Sequence, residues 1–254
     1  MLGHLATDSL GRIRYKGTLK EHHSTDFRGV RLRFDVPHYR QTTEYTCGPA
    51  CVMMVLKFFN KDIEFSKRSE FDIWRECNMI GALGADVFSL SLPLIKRGLK
   101  VKILTERKET IPIRRIVQKW GEERGRIAKY VMQLSYEKVR SAGMKIVFRS
   151  PKVDDVREAL AEGTLPIVLV NLYEMHRYNI PHWVVVTGFD SGYVYLNDPL
   201  RRKGGYRVKE DVFIRSMGRL AAKIGVSRSL LKAWQSYSCN YLANQVLGSS
   251  KLMS

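Results

Sequence analysis

Four side chains of the kinds that break amide bonds stand in the order Gln41, Cys47, His182 and Asp198. Cys47 opens Cys47-Gly48-Pro49, which runs into the apolar stretch Ala50 to Phe59. Proline suits the first turn of a helix, where its missing N–H costs nothing. Cys47 is therefore expected at a helix N-terminus, where unpaired N–H groups and the helix dipole favour a negative charge. A free thiol titrates at about 8.5, and such a position beside a basic group lowers it enough to make a nucleophile. Gln41 lies six residues upstream on a polar, extended arm, where its amide can donate to an oxyanion forming beside the sulfur. His182 starts the apolar run Pro181 to Asp190, and Asp198 lies in Asn197-Asp198-Pro199 after the next apolar run. Those two supply a base and a carboxylate to orient it.

Taken alone, each piece has a plainer reading. Cys47 could be a buried cysteine at a helix start, and Gln41 a surface side chain. His38 and His176 compete as bases. Asn197 competes with Asp198 as orienter, and Asp190 reads as a turn residue beside Ser191 and Gly192. Trp183 is a core residue or a wall beside the imidazole. Cys51, one turn after Cys47, reads as a small core residue or a redox partner. The ordered set as a whole resembles the papain-like cysteine peptidases. It is most similar to the bacteriocin-leader (double-glycine) peptidases of ABC exporters and their stand-alone relatives. In that family a Gln precedes the nucleophile of a Cys-Gly-Pro segment by six residues, a His opens an apolar strand, and an Asp in Asn-Asp-Pro orients it. Gln41-Thr42-Thr43-Glu44-Tyr45-Thr46-Cys47, the segment Glu70 to Glu76 and Pro181 to Asp190 resemble the stand-alone branch. The resemblance covers residues 31–217. It implies catalytic roles for Cys47, His182, Asp198 and Gln41, a peptide or protein substrate, and no cofactor or metal. In the exporter-type relatives a narrow cleft admits a Gly-Gly pair. Members of the stand-alone branch tend to be encoded near ligases that add glutamates to protein tails.

The elements that must position these residues follow from pattern. Lys100–Thr105 and Lys145–Phe148 read as strands, Pro166–Leu172 as a buried strand, and His182–Asp190 with Tyr193–Asn197 as a hairpin. Arg31–Val36 alternates as a strand leading into the Gln41 arm. Helices are expected in Asp62–Gly98 around Gly81-Ala82-Leu83-Gly84, in Ile111–Ala142 with a break near Gly121 or Gly125, and over Asp154–Glu162 and Lys209–Met217. The layout is α+β: an N-terminal helical half, with the Cys47 helix packed on a C-terminal antiparallel sheet, as in a papain-like fold. Residues 1–30 form an extension and 31–246 the domain.

The hairpin carries a register condition. His182 and Asp198 must project from the same face, and side chains alternate with period two. A clean two-residue loop at Ser191-Gly192 pairs Asp198 with Val185 and splits them. An odd loop of three or five residues, or a bulge of the same effect, pairs Asp198 with Val184, diagonal to His182. Gly192 is expected to supply a positive φ.

Composition bounds the rest. The chain has 254 residues, 44% of them hydrophobic, and carries a net charge of +18. Residues 201–254 hold 11 Lys and Arg against 2 Asp and Glu, and residues 107–149 hold 12 against 4. Such a surface suits acidic partners, whether nucleic acid, an anionic membrane or an acidic peptide, and solvated basic helices read the same way. With the resemblance to proteins encoded near glutamate ligases, an acidic peptide tail is the first expectation. No apolar run is long enough to span a membrane, no secretory h-region opens the chain, and the four cysteines lack metal or disulfide spacing. A reducing, cytoplasmic setting is expected. Within the basic tail 218–246, Arg219 to Trp234 has two readings. One is a helix-turn-helix with Gly225 at the turn and Arg228, Ser229 and Lys232 exposed, by which a non-catalytic binding module on a peptidase-like scaffold would contact nucleic acid. The other is a segment that simply completes the domain, since Phe213 to Arg219 resembles the closing helix of the stand-alone branch.

Overall fold

The computed structural model describes residues 32–77, 84–220 and 225–235, with the backbone of Leu5–Thr7 (β1) and Ile13–Tyr15 (β2). β1 and β2 pair antiparallel with each other. The rest of the expected 1–30 extension, and the tail beyond residue 235, lie outside the described residues.

Helix α1 (Cys47–Phe58) starts where the Cys-Gly-Pro segment implies, and every residue in it except Lys57 is buried. Helices α2 (Lys67–Glu76) and α3 (Val87–Lys96) follow, opened by the side chains of Ser66 and Asp86, which accept from backbone N–H groups one turn in. The Ile111–Ala142 region is two helices, α4 (Ile113–Trp120) and α5 (Glu122–Ser141), broken at Gly121. Helix α6 (Val153–Ala161), the short α7 (Tyr173–His176) and α8 (Glu210–Arg219) complete the helices among the described residues.

One eight-stranded sheet carries the core. Its strands are β3 (Leu32–Arg33), β4 (Lys100–Thr105), β5 (Lys145–Phe148), β6 (Leu165–Asn171), β7 (Pro181–Asp190), β8 (Tyr193–Asn197), β9 (Tyr206–Lys209) and β10 (Ser229–Trp234). Seven run in the order β5-β4-β10-β6-β7-β8-β9, and β3 pairs with Gly188 and Phe189 of β7. The α+β layout stands, but the sheet departs from the expected one in two ways. It draws β4 and β5 from the middle of the chain, and those two run parallel, because the α4–α5 connection returns the chain to the same end of the sheet. The second departure is the tail. Ser229–Trp234 is not the second helix of a helix-turn-helix but a central strand between β4 and β6, so the segment completes the domain. Ser229 is 2% exposed and Lys232 1%, while Arg228 pairs with Glu106 at 2.6 Å. The residues expected to face nucleic acid are thus internal or already paired. A strand covered on both faces loses the apolar-polar alternation and reads like helix from sequence. The buried Lys232, held by Glu158 at 2.7 Å, added to that appearance.

Helices cover both faces of the sheet. Trp183 of β7 lies against Gly48 of α1, and its indole donates to the Ala85 carbonyl at 3.0 Å. Lys232 reaches α6 on the opposite face, since its partner Pro166 and the Trp183 partner Leu169 are three residues apart on β6.

The β7–β8 hairpin turns in two residues, Ser191 and Gly192, at φ of 47° and 80°. Beyond it Gly188, Phe189 and Asp190 pair with Tyr195, Val194 and Tyr193. That is the register that would split His182 from Asp198. The register then shifts between Val186 and Gly188, so Val186 meets Leu196 and Val185 meets Asn197. Thr187 is an extra residue, a bulge, and it brings Asp198 opposite Val184.

Gly48 is fixed by the packing that sets β7 against α1. A Cβ there would lie 2.8 Å from Leu90 Cδ1 and 3.3 Å from Trp183 Cδ1. Leu90 is fully buried and the indole is held by Ala85, so neither has room to withdraw. Gly48→Ala should therefore destabilise the fold by about 1–3 kcal/mol, against the gain of up to about 1 kcal/mol that helix propensity alone gives. Urea unfolding checks this; unchanged or raised stability contradicts the packing described.

Candidate active site

Three elements converge on Asp198. It follows β8 directly and is wholly buried. Its Oδ1 accepts from His182 Nε2 at 2.8 Å and from the Leu200 N–H at 2.9 Å. Oδ2 lies 3.2 Å from His176 Nε2. His38 Nε2 meets the Asp198 backbone carbonyl at 3.1 Å. Every histidine among the described residues therefore touches this one aspartate. With Nε2 of His182 committed to Asp198, Nδ1 is the ring nitrogen left to act on the Cys47 thiol, whose ionisation the ring favours.

The electrostatics follow from those contacts. Burial pushes the His182 imidazole down, but hydrogen bonds and charge from Asp198 and Cys47 outweigh it and raise the ring to about 9. Burial pushes the Asp198 carboxyl up, and the hydrogen bond and charge of His182 bring it down to about 2. Burial likewise pushes the Cys47 thiol up. The hydrogen bond and charge of His182, with the N–H groups of Trp183 and Gly48, hold it below its ordinary range. These three shifts run in the directions that favour a thiolate on Cys47, an imidazolium on His182 and a carboxylate on Asp198.

Cys51 behaves differently. Its thiol points to the Trp183 carbonyl at 3.3 Å, and burial with the nearby Cys47 and Asp198 charges raises it well above the ordinary range. It is a core residue, as is Trp183.

Gln41 is 8% exposed on an arm clasped from both sides. Its N–H donates to the Pro199 carbonyl at 3.0 Å, tying the arm to the Asp198 segment. Asn197, the competing orienter, instead donates to the Val36 carbonyl at 2.7 Å and accepts from Gly205 N–H. The Gln41 side chain donates through Nε2 to the Thr43 carbonyl at 2.7 Å, and only its nitrogen end can pair with a carbonyl. That same carbonyl accepts from Thr46 Oγ1 at the start of α1. One hydrogen of the Gln41 amide nitrogen is thus committed and the other is open. On the far side, Tyr39 and Thr42 donate to Glu70 of α2.

Two of these participants were not given their place by sequence reasoning. His176 read as a rival base in a polar loop, yet it sits on Asp198. The signal lies in the β6–β7 hairpin: Val170 pairs with His182, so the connecting loop must return beside His182. Glu70 was part of the matched segment without a role. Its spacing from the buried Ile73 places a charge on the apolar face of α2.

A profile of the Peptidase_C39 like family matches residues 36–246. No curated protein sequence matches the chain. Among solved structures, a putative C39-like peptidase from Bacillus anthracis aligns at a TM-score of 0.50 and 12% identity, over 82% of this chain and 99% of that one. A double glycine motif protease from an AMS/PCAT transporter, crystallised with its leader peptide, aligns at 0.43 and 18%, over 81% and 97%. The peptidase domain of Streptococcus ComA, a bi-functional ABC transporter of a quorum sensing pathway, aligns at 0.43 and 10%, over 78% and 98%. At such identities the likeness is one of fold, and the Bacillus anthracis protein carries it: the α+β sheet with α1 against β7 is the papain-like architecture of C39 peptidases. The matched span runs from the start of the Gln41 arm past β10 and takes in most of the chain, which belongs to the Peptidase_C39 like family.

Proposed function

We propose that this chain is a cysteine peptidase in which Cys47 is the nucleophile, His182 the acid-base, Asp198 its orienter and Gln41 an oxyanion donor. The observation that carries this is the His182 ring, bonded through Nε2 to a buried carboxylate at 2.8 Å and acting on a thiol at a helix start, which it holds below the ordinary thiol range. With the Cys47 proton already on the His182 ring, the thiolate sulfur adds to the peptide carbonyl carbon. The Gln41 amide and the Cys47 backbone N–H receive the negative oxygen. The C–N bond then breaks, the amine leaves with the proton from Nδ1, and a thioester remains. Water, deprotonated by His182, attacks the thioester and frees acid and thiolate. Asp198 stays ionised throughout and holds the imidazolium.

The pH dependence follows from the shifts. The reactive pair is thiolate and imidazolium, populated above the lowered Cys47 pKa and below about 9, where His182 gives up its proton. Peptide hydrolysis should fall as pH rises through about 9, because the leaving amine then has no proton donor. Alkylation of Cys47 by iodoacetamide needs only the thiolate and should persist there. Gln41→Ala should lower kcat roughly 100- to 1000-fold with alkylation intact. His182→Ala should shift alkylation to higher pH, since burial then acts on the thiol against only the N–H groups of Trp183 and Gly48. A Cys47 that a folded wild type leaves unalkylated from pH 6 to 9 contradicts the proposal.

For the substrate, charge supports an acidic peptide. Exposed Arg40 precedes Gln41, Arg177 follows His176, and Arg202 and Lys203 follow the Asp198 segment. Exposed Tyr45, Tyr178, Ile180 and Leu200 stand in the same segments and add apolar surface to them. Acidic peptides should be cleaved with kcat/KM on the order of 10-fold above neutral or Gly-Gly peptides at low salt. The advantage should shrink as ionic strength rises from about 0.05 to 0.5 M. Equal cleavage of all three classes at both salt levels contradicts it.

A further inference from the structure

We infer that Glu70 is a positioning residue for the oxyanion donor, an inference that rests on the cysteine peptidase reading. Glu70 is completely buried in α2, yet its carboxylate accepts from the Gln41 arm and not from its own helix. Oε1 accepts from the Thr42 N–H at 2.8 Å. Oε2 accepts from the Thr42 hydroxyl at 2.7 Å and from the Tyr39 hydroxyl at 3.0 Å. These two residues bracket Gln41, one directly after it and the other two before. Tyr39 is seated in turn on Phe65, with ring centroids 5.3 Å apart.

A buried carboxylate with three donors is held tightly, because losing it leaves an N–H and two hydroxyls without a charged acceptor. The Pro199 carbonyl grips the other edge of the arm through Gln41 N–H at 3.0 Å. The arm is therefore fixed between α2 and the Asp198 segment, and the amide of Gln41 inherits that position. An oxyanion donor works only at hydrogen-bond distance from where the charge develops. A shift of about 1 Å in a positioning contact can cost on the order of 100-fold in rate.

The test compares Glu70→Leu, which removes both acceptor oxygens at similar volume, with Glu70→Gln, whose carbonyl can still accept from Thr42 N–H while its amide donates to the two hydroxyls. Glu70→Leu should lower kcat for peptide hydrolysis on the order of 10- to 100-fold. It should leave iodoacetamide alkylation of Cys47 within about two-fold, since alkylation forms no oxyanion. Glu70→Gln should recover most of the rate, and Glu70→Leu should cost little further in a Gln41→Ala background, as expected of two residues acting through one contact. An independent readout is amide exchange at Thr42, which should quicken on the order of 10-fold or more in Glu70→Leu while α1 stays protected. An unchanged kcat, an alkylation rate that falls with it, an equal loss in the Gln41→Ala background, or unaltered exchange at Thr42 each overturns the inference. A folded wild type inert to both iodoacetamide and peptide instead overturns the peptidase reading, while the exchange result still decides whether Glu70 holds the arm.

Discussion

A carboxylate taken wholly out of water must be surrounded by donors or it protonates. Asp198 is that carboxylate, and much of the site is arranged around it. His182 and the Leu200 N–H satisfy Oδ1, and His176 faces Oδ2. His38 and the Arg201 N–H hold the backbone carbonyl. His182 opens β7, His176 ends α7, His38 lies on the Gln41 arm, and Leu200 follows in the turn. One buried charge thus fixes the mutual position of a strand, a loop and the arm before α1. The imidazolium it favours on His182 is also what favours a thiolate on Cys47.

The bulge at Thr187 makes this possible. With a two-residue turn at Ser191-Gly192, an unbroken ladder would aim Asp198 away from His182. One additional residue reverses the phase without altering the turn. The requirement was legible in the sequence, because period two and the hairpin length together demand an odd correction. The residue that supplies it was not singled out, although Thr187 precedes Gly188 and a glycine inside a strand often marks a bulge. β3 adjoins this place, with Phe34 N–H donating to the Thr187 carbonyl at 2.8 Å, so tertiary pairing rather than local preference accompanies the irregularity.

The same division runs through the rest of the chain. The helix start at Cys47, the break at Gly121 and the strands around His182 are local patterns and could be read. β10 could not, since a strand enclosed by two others and covered on both faces has no alternation, and its place between β4 and β6 depends on contacts far away in sequence. His176 and Glu70 were visible as residues but not as partners, because their roles come from chain segments that only folding brings together.

The central claim is that Asp198 keeps His182 positively charged beside Cys47 in the resting protein. Nitrogen-15 NMR of the His182 ring measures this most directly. Both ring nitrogens should carry hydrogen at neutral pH and the ring should lose one only as pH rises through about 9. A neutral His182 ring at pH 7, with a single N–H, would contradict the account.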